Sequence, residues 1–68
     1  MRVWVAEQGR YSSRGIVGVY ATPEAAMADN PIPAKLAETG KWTESDGCWT
    51  NGLEWDDLIS IEPWEVKE

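Results

Sequence analysis

The chain has 68 residues, a formal net charge of −6, five tryptophans, one cysteine and no histidine or phenylalanine. A chain of this length forms one small domain, which buries only about 60% of the surface that its unfolded form exposes. A lone cysteine excludes a disulfide framework, and without histidine the chain lacks the commonest metal ligand and general base.

Two strands are predicted in the first third of the chain. Residues 2–7 alternate along a strand, with Val3 and Val5 on one side. The polar stretch 8–14 then connects this strand to Gly15–Ala21 as a hairpin with a long loop. Because both faces of Gly15–Ala21 are apolar, the pattern predicts a central strand that is buried on both sides.

Helix signals follow this strand directly. Thr22 is a typical N-cap, and Pro23 and Glu24 suit the first turn of a helix. The alanine-rich run that follows favours a helix, which Asn30-Pro31 ends. The segment Pro33–Gly40 predicts a second, shorter helical turn that begins at the proline and stops at the glycine.

The second half of the chain predicts three more strands. Asp46-Gly47 is a strong two-residue turn between strands Lys41–Ser45 and Cys48–Trp55. Within the latter strand, Asn51-Gly52 is interpreted as a bulge or bend. The pairing about this turn places Glu44 opposite Trp49 and brings Trp42 to the same face.

The last predicted strand is Leu58–Glu62, which Pro63 ends or restricts to the edge of the sheet. The element order is therefore ββαβββ. It predicts an α+β domain over residues 1–68, with a small, mainly antiparallel β-sheet and one or two short helices on one face.

Residues Glu7–Thr22, with the Pro-Glu-Ala-Ala that follows, resemble the opening of a family of very short phage and bacterial proteins. Members of that family begin with a Val/Tyr-rich strand. They continue through a Tyr-Ser loop into a Val-Gly-Val-aromatic strand and a Glu/Ala helix. The resemblance covers residues 1–28, whereas the Trp-rich half from Trp42 departs from the pattern. It implies a viral or mobile-element origin and a ββαββ-type fold, and, since the family is a domain of unknown function, no activity.

The negative charge is concentrated in the second half. Residues 1–37 carry four basic and three acidic side chains, whereas residues 38–68 carry two basic and nine acidic ones. Contacts with phosphates need Lys and Arg, so we expect no direct binding to nucleic acid. The acidic residues either keep a small protein dispersed in water or attract a basic partner.

Most of the tryptophans lie in this acidic half, and tryptophan is enriched at interface hot spots. Acids beside them would attract a partner rich in Lys and Arg. The alternative is that three of the tryptophans fill a core that lacks Phe, and that the acidic side chains lie on the solvent-exposed side of the sheet. The predicted partner-binding residues are Trp42, Glu44, Trp49, Glu54, Trp55, Asp56, Asp57 and Trp64.

The loop between Gly9 and Gly15 offers a different candidate site. Guanidinium and hydroxyl groups suit a phosphate or nucleotide, although the spacing matches no phosphate-loop motif and also fits an ordinary solvated loop. The candidate ligand-binding residues are Arg10, Tyr11, Ser12 and Arg14.

Metal binding and catalysis are not expected. The carboxylates of Glu54, Asp56 and Asp57 lack the spacing of a calcium loop. No histidine is available as a base, and Cys48 has no neighbouring base to lower its pKa. We therefore predict a non-enzymatic protein with no metal and no cofactor.

These features favour a small acidic phage-type protein that binds a basic, nucleic-acid-handling host protein and inhibits it. Anti-defence proteins, of which anti-CRISPR proteins are one form, act in this way. The alternatives are a nucleotide-signal sponge and a structural protein that forms a homodimer through an edge strand or a tryptophan face. The N-terminal strand does not resemble a signal peptide and no apolar run approaches membrane length, so we expect the cytoplasm, that of the host if the protein is viral.

Overall fold

The computed structural model describes residues 1–9 and 14–67, and for Trp55 it describes the backbone alone. These residues form a small, mostly-β domain, in which a five-stranded antiparallel sheet of order β2-β1-β5-β4-β3 is accompanied by one α-helix and short 3-10 turns. The elements in chain order are β1 Arg2–Gln8, β2 Gly15–Tyr20, α1 Pro23–Asp29, a 3-10 turn Ala34–Leu36, β3 Thr43–Ser45, β4 Cys48–Thr50, a second 3-10 turn Trp55–Asp57 and β5 Ile59–Glu65.

The local signals give the predicted order of strands and helix. Thr22 caps α1, since its Oγ1 accepts a hydrogen bond of 3.1 Å from the Ala25 N–H. Asp46 and Gly47 form the turn between β3 and β4 with φ angles of 53° and 83°. Glu44 pairs with Trp49, as predicted.

The central position predicted for Gly15–Ala21 is wrong. β2 is an edge strand that pairs only with β1, and its side chains are mostly exposed. Helix α1 covers one face of this part of the sheet, and no element of the described chain covers the other. An apolar pattern on both faces shows only that both faces of the strand could be buried. A domain this small has too few residues to cover both faces of its sheet.

The prediction for Pro63 is also wrong, because β5 lies in the middle of the sheet and continues through the proline. Ile59 directs its carbonyl toward the β4 side, where it accepts the Asn51 N–H at 3.2 Å. Alternation places the Pro63 nitrogen on that same side. β4 pairs with β5 at Ser60 and Ile61 and does not extend to Pro63, so no strand in the described part of the chain needs an N–H from the proline.

The strand predicted over Cys48–Trp55 is too long, since β4 ends at Thr50. Asn51 leaves the strand there, and its side chain bonds to the backbone of the following loop and of β5. Gly52 has a φ of 71°, a conformation that glycine adopts readily, so the chain bends away from the sheet.

The core lies between α1 and the sheet. Ala6 and Ala26 are fully buried, and these two small side chains let the helix approach β1 closely. Ile59 and Ile61 of β5 complete the buried cluster. Larger side chains pack around it and remain partly exposed, namely Trp4, Tyr20, Met27, Trp42 and Trp49.

Tyr20 links β2 to the end of α1, and this contact predicts a pH effect. Its hydroxyl donates a 2.6 Å hydrogen bond to Asp29 Oδ2, which raises the pKa of Tyr20 above its ordinary value, with a smaller contribution from burial. The folded state therefore holds this proton more tightly than the unfolded state. The resulting stabilisation is present below about pH 10 and is lost as the pH rises through the folded-state pKa.

We expect an absorbance titration to show that Tyr20 ionises above the ordinary pKa of a tyrosine. The difference between the wild-type and Tyr20→Phe titrations isolates this group, and Asp29→Asn removes the cause of the shift. Ionisation of Tyr20 at or below its ordinary value in the folded protein would contradict the expectation.

Candidate partner-binding face

Helix α1 covers one face of the sheet, and no helix or strand among the described residues covers the other, which we call the open face. Register assigns side chains to each face. Ala6 and Ile61 form a pair on the covered side, where both are buried in the core. The neighbouring pair of Val3 with Trp64 therefore lies on the open face, because successive side chains of a strand point to opposite faces.

Several exposed apolar side chains lie on the open face. Val19 of β2 is 58% exposed, Trp64 of β5 is 48% exposed, and Val66 beyond the end of β5 is 40% exposed. On the same face Val3 is half-buried and Val5 is buried, and Val5 pairs with Val19 on β2 and with Glu62 on β5. We call these five apolar residues the open-face patch. Apolar surface gathered on one face of a soluble domain is typical of an interaction site.

A carboxylate lies beside this patch. Glu62 pairs with Val5 across β1 and β5, and Trp64 lies two residues further along the same face. Glu62 is half-buried, and among the described residues no cation lies within salt-bridge distance of it. The charge of Glu62 is therefore left to solvent or to a partner.

The arginines at the start of β1 and just before β2 are already paired with other carboxylates. Arg2 contacts Glu65 at 2.8 Å, and Arg14 contacts Glu7 with its Nε 2.9 Å from Oε2. The Arg2–Glu65 pair is well exposed, so its contribution to stability is small, whereas the Glu7 side chain is only 16% exposed. The consequence of the two pairs for the site is that neither arginine neutralises Glu62.

The predicted partner-binding residues fall on different parts of the molecule. Trp42 and Trp49 are half-buried against the core on the covered face, with Glu44 exposed beside Trp49. Trp64 lies on the opposite, open face, so the sheet separates it from these two tryptophans. The carboxylates around the second 3-10 turn are exposed, and they belong to Glu54, Asp56 and Asp57. The Trp55 side chain lies outside the described part.

Of the open face, the sequence singled out Trp64 as a candidate residue, but neither the valines nor Glu62. Their signal is present in the sequence, since both faces of Gly15–Ala21 are apolar and Val3 and Val5 alternate. The same pattern occurs in a strand that is buried inside a domain and in a strand whose apolar face is exposed and binds another protein. The register with β5 is needed to place Trp64 and Glu62 beside these residues.

The candidate nucleotide loop is described only in part, because Arg10, Tyr11 and Ser12 lie outside the described residues. Arg14 contacts both carboxylate oxygens of Glu7, the second through a 3.2 Å hydrogen bond. A cleft of about 340 Å³ lies beside the start of β2, and its lining residues include Gly15, Ile16 and Asp56. The carboxylate of Asp56 does not favour an anion there.

A larger cleft of about 560 Å³ lies between the first 3-10 turn and the loop before the second, where Leu36 and Leu53 meet Glu54, Asp56 and Asp57. Within residues 1–9 and 14–67, no three acidic or cysteine side chains are arranged to hold a metal ion. None of the helices in the described part is long and apolar enough to span a membrane.

Comparison with protein families, with curated proteins and with solved structures gave no match to this chain. The resemblance of residues 1–28 to short phage and bacterial proteins therefore stays a prediction. Any function has to be argued from the open face and the acidic residues themselves.

Proposed function

We propose that this chain is a small, non-enzymatic binding protein whose open-face patch docks on a basic protein. The observation that carries the proposal is the half-buried carboxylate of Glu62, which has no cation within salt-bridge distance among residues 1–9 and 14–67 and lies beside the exposed indole of Trp64. The partner would present an arginine or lysine next to aliphatic side chains. The α+β fold class stays a proposal, because the described residues form a mostly-β domain whose helix α1 has only seven residues.

Each part of the open face has a role in this binding. Trp64 offers a large, rigid apolar surface, and tryptophan is among the residues enriched at interface hot spots. A partner guanidinium would pair with Glu62 and stack on the indole, which combines a charge-assisted hydrogen bond with a cation–π contact. Val3 and Val19 supply apolar area on either side.

The net charge of −6 adds long-range attraction toward a basic surface. The exposed carboxylates of Glu54, Asp56 and Asp57 stay predicted contributors to this attraction, from outside the open-face patch. Proteins that handle nucleic acids have basic surfaces. The narrower form of the proposal is therefore that this chain inhibits such a host protein in the cytoplasm. The nucleotide sponge stays an untested alternative.

The test compares capture of proteins from a host lysate by wild-type protein, Trp64→Ala and Glu62→Gln. We expect the captured set to be basic and to weaken as ionic strength rises from about 0.01 M to about 1 M. Loss of a hot-spot residue costs about 2 kcal/mol, so each variant should weaken the purified pair roughly 30-fold.

Glu44→Gln is the matched control, because it also removes one negative charge, but from an exposed position on the covered face. It should change affinity only slightly at physiological salt. Thermal unfolding of each variant checks that the fold is intact. Equal capture by wild-type protein and Trp64→Ala would contradict the proposal.

A further inference from the structure

The loop after β4 contains an asparagine that is followed by a glycine, Asn51-Gly52. In an unfolded chain, the backbone nitrogen of such a glycine attacks the side-chain carbonyl carbon of the asparagine, since no Cβ obstructs the approach. A new C–N bond closes a five-membered succinimide ring, and the side-chain nitrogen leaves as ammonia with the proton of the glycine N–H. Water then opens the ring at either carbonyl, which gives aspartate or isoaspartate.

The fold engages every polar group of Asn51 in a hydrogen bond. The residue is 2% exposed, and its Oδ1 accepts the N–H groups of Leu53 and Ile59, both at 3.1 Å. Its Nδ2 donates to the Asp57 carbonyl at 2.9 Å. Its backbone N–H donates to the Ile59 carbonyl at 3.2 Å, and its own carbonyl accepts the Lys41 N–H at 2.8 Å. Turning the side chain toward the next residue would break all three side-chain bonds.

The attacking nitrogen is held by the fold as well. The Gly52 N–H donates to Thr50 Oγ1 at 3.3 Å, and the residue has a φ of 71°. The proton that has to leave this nitrogen is therefore shared with a hydroxyl oxygen. The carbon and the nitrogen that would form the ring are each fixed by hydrogen bonds, and these bonds are lost when the domain unfolds.

We propose that Asn51 is a modification site at which the chain deamidates itself, and that the fold suppresses this reaction until the domain unfolds. The only co-reactant is water. A domain this small unfolds as one unit, and unfolding and refolding are fast compared with ring closure. The rate of deamidation should therefore follow the fraction of molecules that are unfolded.

The products cannot rebuild the loop. Aspartate at position 51 has no N–H for the Asp57 carbonyl, and it places a negative charge at a site that is 2% exposed. Isoaspartate adds a methylene group to the main chain, which displaces the acceptor of the Leu53 and Ile59 N–H groups. Unfolding followed by deamidation is thus irreversible and limits the lifetime of the folded protein. This limit does not depend on what the domain binds.

The experiment follows deamidation by mass spectrometry and peptide mapping, at neutral pH, in buffer and in urea that unfolds the protein. From the usual stability of a domain of this size, we expect Asn51 to react more than about 100-fold faster in urea. Asn30 is the internal control, because the residue after it, Pro31, has no N–H to attack. Equal rates at Asn51 in buffer and in urea, or an intact Asn51 in urea, would overturn the inference.

Two variants test the role of unfolding without any denaturant. Ile61→Ala makes none of the changes at the Asn51 hydrogen bonds themselves, but it removes a buried side chain of the central strand. By raising the unfolded fraction, it should speed deamidation at least about 30-fold in buffer. Ile16→Ala, the same change at an exposed position, should leave the rate within about twofold of wild type. Equal rates for Ile61→Ala and wild type would overturn the inference.

Gly52→Ala tests the chemistry with the fold removed. In urea, where the strain of alanine at a φ of 71° has no effect, the added Cβ should slow deamidation several-fold. When urea is then diluted from partly deamidated wild-type protein, the fraction that regains the native circular dichroism should equal the fraction with Asn51 intact. Refolding of the deamidated molecules, or an unchanged rate for Gly52→Ala, would overturn the inference. Neither result bears on the partner-capture test.

Discussion

Replacement of Asn51 by alanine should abolish or nearly abolish cooperative folding. Asn51 is 2% exposed, and its side chain makes three hydrogen bonds to the backbone. Its Oδ1 accepts the N–H groups of Leu53 and Ile59, both at 3.1 Å, and its Nδ2 donates to the Asp57 carbonyl at 2.9 Å. One side chain therefore holds the loop between β4 and β5 in place.

The expected loss is large compared with the stability of so small a domain. Each backbone group left buried without a partner costs about 1–3 kcal/mol. A domain of this length has a free energy of unfolding of about 3–10 kcal/mol, on the usual per-residue scale. The free-energy cost of losing three hydrogen bonds in Asn51→Ala is thus comparable with the whole free energy of unfolding.

Urea unfolding followed by tryptophan fluorescence measures the effect, and Asn30→Ala is the matched control. Asn30 also bonds to the backbone, with its Nδ2 2.9 Å from the Ala26 carbonyl, but it is only half-buried. Its Nδ2 also donates to the Tyr20 hydroxyl at 3.3 Å, and water can replace both lost bonds, so we expect a cost of about 1 kcal/mol. Similar unfolding midpoints for Asn51→Ala and wild type would show that the loop is held by something else.

Ile61→Ala should be the second most damaging change. Ile61 is fully buried in the central strand, where it pairs with Ala6 on one side and Trp49 on the other. Truncation of a buried isoleucine leaves a cavity and costs about 2–5 kcal/mol. For a domain of this size, that corresponds to a fall in Tm of at least about 8 °C, unless the protein unfolds altogether.

Ile16→Ala provides the same chemical change at an exposed position. Ile16 lies on the open face and is 58% exposed, so its truncation should alter stability by less than about 0.5 kcal/mol. Thermal unfolding by circular dichroism compares the two variants. Equal effects would mean that the open face is buried in solution, as a strong dimer or another covering layer would cause.

Local chemistry explains what the sequence could predict of the fold. The cap at Thr22 and the turn at Asp46-Gly47 depend on neighbouring residues, and both are found where the signals lie. The edge position of β2 and the passage of β5 through Pro63 depend on which strands become neighbours. The alternation of side chains within one strand does not show which strands become its neighbours. The two predictions that depended on strand neighbours, for Gly15–Ala21 and for Pro63, are therefore wrong.

The candidate site shows the same division between local and non-local information. Composition pointed to tryptophans and acids, and the fold divides those residues between two faces of the sheet. Trp42 and Trp49 pack against the core, as expected if they replace the missing phenylalanines. The pairing of β5 with β1, across more than fifty residues of chain, is what gathers Trp64, Glu62 and the valines.

The position of the single cysteine has a practical consequence. Cys48 is exposed, and continuing the register of Trp49 with Ile61 by one residue places it beside Glu62. An environment-sensitive dye on this thiol would report when the open face becomes occupied, with every indole of the protein left native. Because the chain has no other cysteine, such a reporter can be attached at a single position without further engineering.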